Sequence, residues 1–136
     1  KSRFEFPEDT DGRLFFHHVC LSAYPQDPEE EARPKGLVGE SWTLLEMQQK
    51  LGHKRIDLLK MDIEGFEHPI FGSWPELYYE EESENILLPM QILVEIHYRT
   101  HFPALTPVRD DFKTATDLLE LQSHLMRMGY VVAVRD

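Results

Sequence analysis

Two stretches of this 136-residue sequence end in side chains able to move a proton or hold a cation: Asp62 and Glu64 follow one apolar run, and Glu95 and His97 close another. A carboxylate beside a histidine can serve as general base for a hydroxyl, or as part of a ligand set for a divalent metal. Both pairs stand where strands are expected to end. In open parallel sheets ligands bind beyond the carboxyl ends of the strands, and neighbouring strands lie only about 5 Å apart. The four groups are therefore expected to meet.

Other polar residues have plainer explanations. Glu64 could cap the following helix or pair with Lys60 or Arg55. Lys60, inside an apolar run, is expected to be buried and to need a partner such as Asp62 or Glu95. His97 and His101 are four apart, a zinc spacing on a helix, but here a strand end and a loop are expected. His17 and His18 would point to opposite faces of a strand and cannot serve one ion. Trp42 and Trp74 read as packing residues.

The elements that must position these groups follow from periodicity. Leu14 to Leu21 is short, aromatic-rich and preceded by Asp11-Gly12, a turn leading into a strand. Tyr24 to Gly39 is rich in proline, glycine and carboxylates and reads as a surface loop. Thr43-Leu44-Leu45-Glu46 has capping-box spacing, and Leu44, Met47, Gln48 and Leu51 mark one face of a helix over 43–51 that Gly52 ends. Ile56 to Met61 is nearly continuous and apolar, the pattern of a strand covered on both faces.

After Asp62, residues 64–71 read as a turn and a short helix ended by Gly72, and Ser73 to Asn85 as a polar, aromatic connection. Gln91 to His97 is a second strand. Thr114 to Asp117 starts another helix, with Leu118, Leu121, Leu125 and Met128 on one face and Gly129 as its stop. Tyr130 to Val134 reads as a third strand. Strands alternating with helices imply right-handed crossovers and a parallel sheet, an α/β class.

Composition narrows the partners. With 14 basic and 25 acidic residues the net charge is −11, a field that repels phosphate backbones and anionic headgroups. Neither nucleic acid nor membrane is expected as a partner, and no stretch in the visible chain is apolar enough to span a bilayer. Glu29 to Glu31 and Glu80 to Glu82 read as solvated runs. Cys20 is the single cysteine, so no intrachain disulfide is possible, and a buried free thiol is expected.

The string Ile56-Asp57-Leu58-Leu59-Lys60-Met61-Asp62-Ile63-Glu64-Gly65-Phe66-Glu67 resembles the signature of the FkbM-type family of S-adenosylmethionine-dependent methyltransferases. Gln91 to His97 resembles the family's later strand, Thr43-Leu44 its upstream "TL", and Met128-Gly129-Tyr130 the end of its last helix. The resemblance covers roughly residues 41 to 135. It implies a Rossmann-like class I methyltransferase sheet, here partial, with S-adenosylmethionine as cofactor and methyl transfer to an oxygen of a sugar or other small-molecule acceptor. By the same analogy Asp62 and Glu64 lie beside donor or acceptor, Asp62 contacts the cofactor, and Glu95 and His97 complete a catalytic set on the adjacent strand end. His97 or Asp62 would be the base.

Class I enzymes open with a strand and a glycine-rich turn that approaches the donor. The seven glycines here stand at 12, 36, 39, 52, 65, 72 and 129, no two separated by a single residue. Residues 1–136 are accordingly expected to be a partial methyltransferase domain without its N-terminal donor-binding half, an incomplete fragment. Two further readings have different chemistry: a non-catalytic interaction module that keeps the fold and an open sheet edge, and a metal-dependent hydrolase using Asp62, Glu95, His97 and His101.

Overall fold

A computed structural model describes residues 14–25, 40–79, 85–97 and 114–133. Their order is β1 (Val19–Leu21), β2 (Glu40–Trp42), α1 (Leu44–Leu51), β3 (Leu58–Met61), α2 (Glu67–Tyr79), β4 (Gln91–Val94) and α3 (Ala115–Arg127). β1 pairs with β2 and β3 with β4, both in parallel, so the described residues form an α/β arrangement of two parallel pairs and three helices. The loop expected over 24–39 lies almost wholly outside the described residues.

Both expected capping boxes form. The Thr43 hydroxyl accepts from the Glu46 amide at 3.1 Å while the Glu46 carboxylate accepts from the Thr43 amide at 2.7 Å, and Thr114 and Asp117 repeat the exchange at the start of α3. Each box satisfies amides that a first helical turn leaves without intrahelical partners. Gly52 ends α1 at φ +70°, and its N–H and that of His53 close onto the last turn. α1 turns Leu44, Leu45 and Gln48 inward. The buried Gln48 amide donates to Leu87 O at 3.1 Å and accepts from the Tyr78 hydroxyl at 2.5 Å, tying α1 to α2 and to the approach to β4.

α2 is longer than its sequence suggests. It runs through Gly72 and carries Pro75 in its interior. Glycine within a helix costs about 1 kcal/mol relative to alanine. Burying Trp74 and Tyr78, both lost if the helix stopped at Gly72, outweighs that. Proline at 75 has no N–H to give to the carbonyl of Phe71 four residues earlier. That carbonyl instead meets His124 Nε2 of α3 at 3.0 Å, so the place where proline breaks the ladder is also where α3 docks. Leu121 is buried in the same core, with Leu125 and Met128 packed against it, as the helical spacing predicts.

The β3–β4 pair is covered on one face only among the described residues. In register, Leu59 and Met61 lie beside Ile92 and Val94 and turn to the core, whereas Leu58 and Leu93 are 59% and 57% exposed. The expectation of a strand buried on both faces therefore fails for these residues, because α1, α2 and α3 supply apolar side chains to a single face. Lys60 falls on the outward face and is exposed rather than buried. Cys20 likewise is an exposed free thiol. Leu14 to Phe16 and residues 130–133 are not strands: Val131 is 81% exposed, and no described strand lies alongside to accept its ladder bonds. No described helix is long and apolar enough to cross a membrane.

Candidate functional site

The β3–β4 ladder delivers the site. Beyond the last register pair, Met61 beside Val94, the Glu95 amide still donates to Met61 O at 3.2 Å, so Asp62 and Glu95 leave the sheet side by side. β4 ends at Val94, short of the strand expected to reach His97, and the chain runs on through Glu95 and Ile96 to His97, while β3 turns into α2 through Ile63-Glu64-Gly65-Phe66. Glu64 at φ +56° and Gly65 at φ +106° make this reversal, closed by the Phe66 amide on Ile63 O at 3.3 Å. Positive φ at both central positions is what a primed turn requires. Glycine accepts it freely, whereas the glutamate is held there at a cost of order 1–3 kcal/mol.

His97 is the hub. Its Nε2 lies 3.7 Å from Asp62 Oδ1, 3.6 Å from Glu64 Oε2 and 3.9 Å from Glu95 Oε1. All four side chains singled out in the sequence thus converge. His101 lies outside the described residues. Glu64 turns toward His97 rather than pairing with Arg55, which meets Asp57 at 2.8 Å on the surface. Trp42 and Trp74 behave as packing residues: Lys50 stacks over the Trp42 ring at 4.3 Å, and Trp74 is wholly buried.

Sequence reasoning missed Glu67. It is the first residue of α2, 0% exposed, and its Oε1 lies 2.9 Å from His97 Nδ1. The same oxygen accepts the amides of Ile63 at 3.2 Å and Gly65 at 3.3 Å. The available signal was a carboxylate three residues after Glu64 at the start of an apolar helix, where an acid fully out of solvent must be paired.

These contacts set the titration. The hydrogen bond to Glu67 is the chief cause that raises the His97 pKa above the usual 6.5; burial opposes it, and the charges of Glu67, Glu64 and Glu95 add to it. Burial pushes the Glu67 carboxyl up, but hydrogen bonds from its own amide, His97, Ile63 and Gly65 outweigh burial and hold it below the usual 4.5. A raised histidine pKa contributes stability that is complete below about 6.5 and lost as pH rises through the raised value; a lowered glutamate pKa contributes stability present above about 4.5 and lost as pH falls through the lowered value. Thermal melts of wild type and Glu67→Gln across pH should therefore differ most between about 4.5 and 6.5, with the gap narrowing on either side. A gap independent of pH would show that the pair is not ionised.

Asp62, Glu64 and His97 also place one ligand atom each within 4.8 Å of one another, a set of hard and borderline donors that could take a divalent cation. Against this geometry stands a match along most of the described chain: the profile of the FkbM methyltransferase domain covers residues 40–132. The chain belongs to that family. No curated protein and no solved structure matches it. In this FkbM domain the matched span runs from β2 past α3, so it contains every residue of the His97 cluster and excludes β1.

Proposed function

We propose that the chain carries the proton-accepting part of an S-adenosylmethionine-dependent methyltransferase that acts on a hydroxyl oxygen. The observation carrying this reading is His97 Nε2 at the mouth of two adjacent parallel strands with Nδ1 held by a buried carboxylate. β3 and β4 are read as neighbouring strands of a Rossmann-like class I sheet, whose ligand crevice opens at this end.

The donor fits the cluster on charge. Asp62 and Glu95 are exposed carboxylates where a cationic sulfonium or ribose hydroxyls would be received, and Asp62 is assigned that contact. When bound, the donor supplies an electrophilic methyl group. Glu64 and Glu95 accept hydrogen bonds from the acceptor's other hydroxyls and orient the reacting one in line. Neutral His97 would take the proton of the reacting hydroxyl at Nε2 as that oxygen accepts the methyl group the donor would supply. Asp62, the other candidate base, is half exposed, and no buried carboxylate among the described residues holds it as Glu67 holds His97. A mouth ringed by Asp62, Glu64 and Glu95 repels phosphorylated and carboxylated acceptors, so a neutral polyhydroxy small molecule such as a sugar suits it best.

The glycine-rich turn such enzymes use to approach the donor has no counterpart in residues 1–136, and we read the chain as contributing the base rather than the whole donor site. Isothermal titration of S-adenosylhomocysteine tests this with the 136-residue chain and with the same chain extended by its upstream coding sequence. The expected result is binding by the extended chain, weakened on Asp62→Asn. Absence of binding in both would remove the methyltransferase reading.

A further inference from the structure

Glu67 takes no part in the chemistry proposed above, yet it is the only member of the His97 cluster wholly shut off from solvent among the described residues. An acid that deep needs a reason, since burying a charge costs several kcal/mol unless bonds to it compensate. Its placement supplies one. Oε1 is pinned by two backbone amides of the β3–α2 turn, Ile63 and Gly65, so the carboxylate cannot swing away, and the start of α2 adds its own favourable field.

We propose that Glu67 is a positioning residue that holds His97 as the Nδ1–H tautomer, leaving Nε2 as the atom that receives the acceptor's proton. The second half of this statement rests on the reading of His97 as base; the first half does not. At 2.9 Å a hydrogen must lie between Nδ1 and Oε1. An ionised carboxylate already accepting two amides has no hydrogen to give, so it belongs to the ring. On the other side of the ring the Asp62, Glu64 and Glu95 carboxylates stand 3.6 to 3.9 Å from Nε2, longer contacts than the 2.9 Å between Nδ1 and Glu67 Oε1. The charge-assisted contact at Nδ1 sets the tautomer. Because Glu67 is anchored to the turn after β3 while His97 follows β4, the bond also locks the two strand ends together at the point where both substrates would meet.

Glu67→Gln removes the charge with almost no change of shape, and its amide oxygen can still accept the Ile63 and Gly65 amides. Long-range nitrogen–proton NMR of the His97 ring in the 136-residue chain reads the tautomer directly. Wild type is expected to carry its hydrogen on Nδ1 near and above neutral pH, and Glu67→Gln to show a mixture with Nε2–H. In the chain competent for methyl transfer the same substitution should lower kcat by on the order of 10²-fold, with KM nearly unchanged. A carboxylate serving the fold alone would lower melting temperature without moving the tautomer. Wild-type protonation at Nε2, or a Glu67→Gln ring indistinguishable from wild type, overturns the proposal. If the tautomer shifts as expected but a variant lacking Nε2 keeps full activity, the positioning role stands and the reading of His97 as base falls.

Discussion

Replacing His97 by asparagine is expected to cut kcat by on the order of 10²–10⁴-fold, the usual worth of a positioned general base, in the chain competent for methyl transfer. Asparagine is the informative substitution because its amide nitrogen overlies Nδ1. It can go on donating to Glu67 Oε1, now 2.9 Å from the ring, and so spares the buried carboxylate the loss of its partner. What it removes is Nε2, the atom facing Asp62, Glu64 and Glu95. Alanine would confound the result, since an uncompensated buried acid costs about 1–3 kcal/mol or more and could unfold the site. Initial rates at saturating donor, with circular dichroism to confirm folding, distinguish the cases. A variant that folds and turns over within threefold of wild type would mean that proton removal is not the task of this histidine, and attention would pass to Asp62.

The largest effect on stability is expected at Trp74. Its ring is 0% exposed and meets Phe71 edge-on at 4.8 Å between centroids, with Tyr78 at 6.3 Å and Tyr130 at 6.4 Å. Tyr130 is held in turn by its hydroxyl on Pro89 O, so this aromatic group joins α2, the end of α3 and the entry to β4. Trp74→Ala should cost about 3–5 kcal/mol through lost burial and the cavity left behind. Domains of this size are typically stable by only about 5–15 kcal/mol, so the variant should sit close to unfolding. Trp74→Phe should cost far less. Phenylalanine keeps most of the packing and removes the indole N–H, which is buried without a hydrogen-bond partner among the described residues. Urea denaturation of the three proteins is the measurement. If alanine and phenylalanine variants unfold at the same midpoint, the aromatic group is not the centre of the core.

A lower-energy feature bears on the same core. The contact between His124 and the Phe71 carbonyl exists because Pro75 leaves that carbonyl without its helical partner. One proline thereby turns a local defect into a contact between helices 53 residues apart in sequence.

Much of the architecture was legible because it is local. A capping box is written within four residues, so Thr43 with Glu46 and Thr114 with Asp117 could be read directly and both formed. A terminal glycine acts on its own φ, and Gly52 ended α1 as expected. The convergence of Asp62, Glu64, Glu95 and His97 was readable because parallel strands place their carboxyl ends together whatever surrounds them. Long-range effects were not legible. Gly72 and Pro75 are breakers by propensity, and only the burial of Trp74 and Tyr78 carries α2 through them.

From the order of residues alone came the alternation of strands and helices, the helix starts, the family signature, and His97 with three of the four side chains around its Nε2 and Nδ1. Tertiary structure decided the rest. Among the described residues it left one face of β3 and β4 exposed, turning Lys60 outward, because the core residues of the three helices gather with those of the other face. It withdrew any strand from residues 130–133, since a strand needs a neighbour to receive its hydrogen bonds. It also gave Glu67 its place behind His97. A carboxylate's role depends on what it touches after the chain has closed on itself, and no spacing along the sequence encodes a 2.9 Å contact between residues 30 apart.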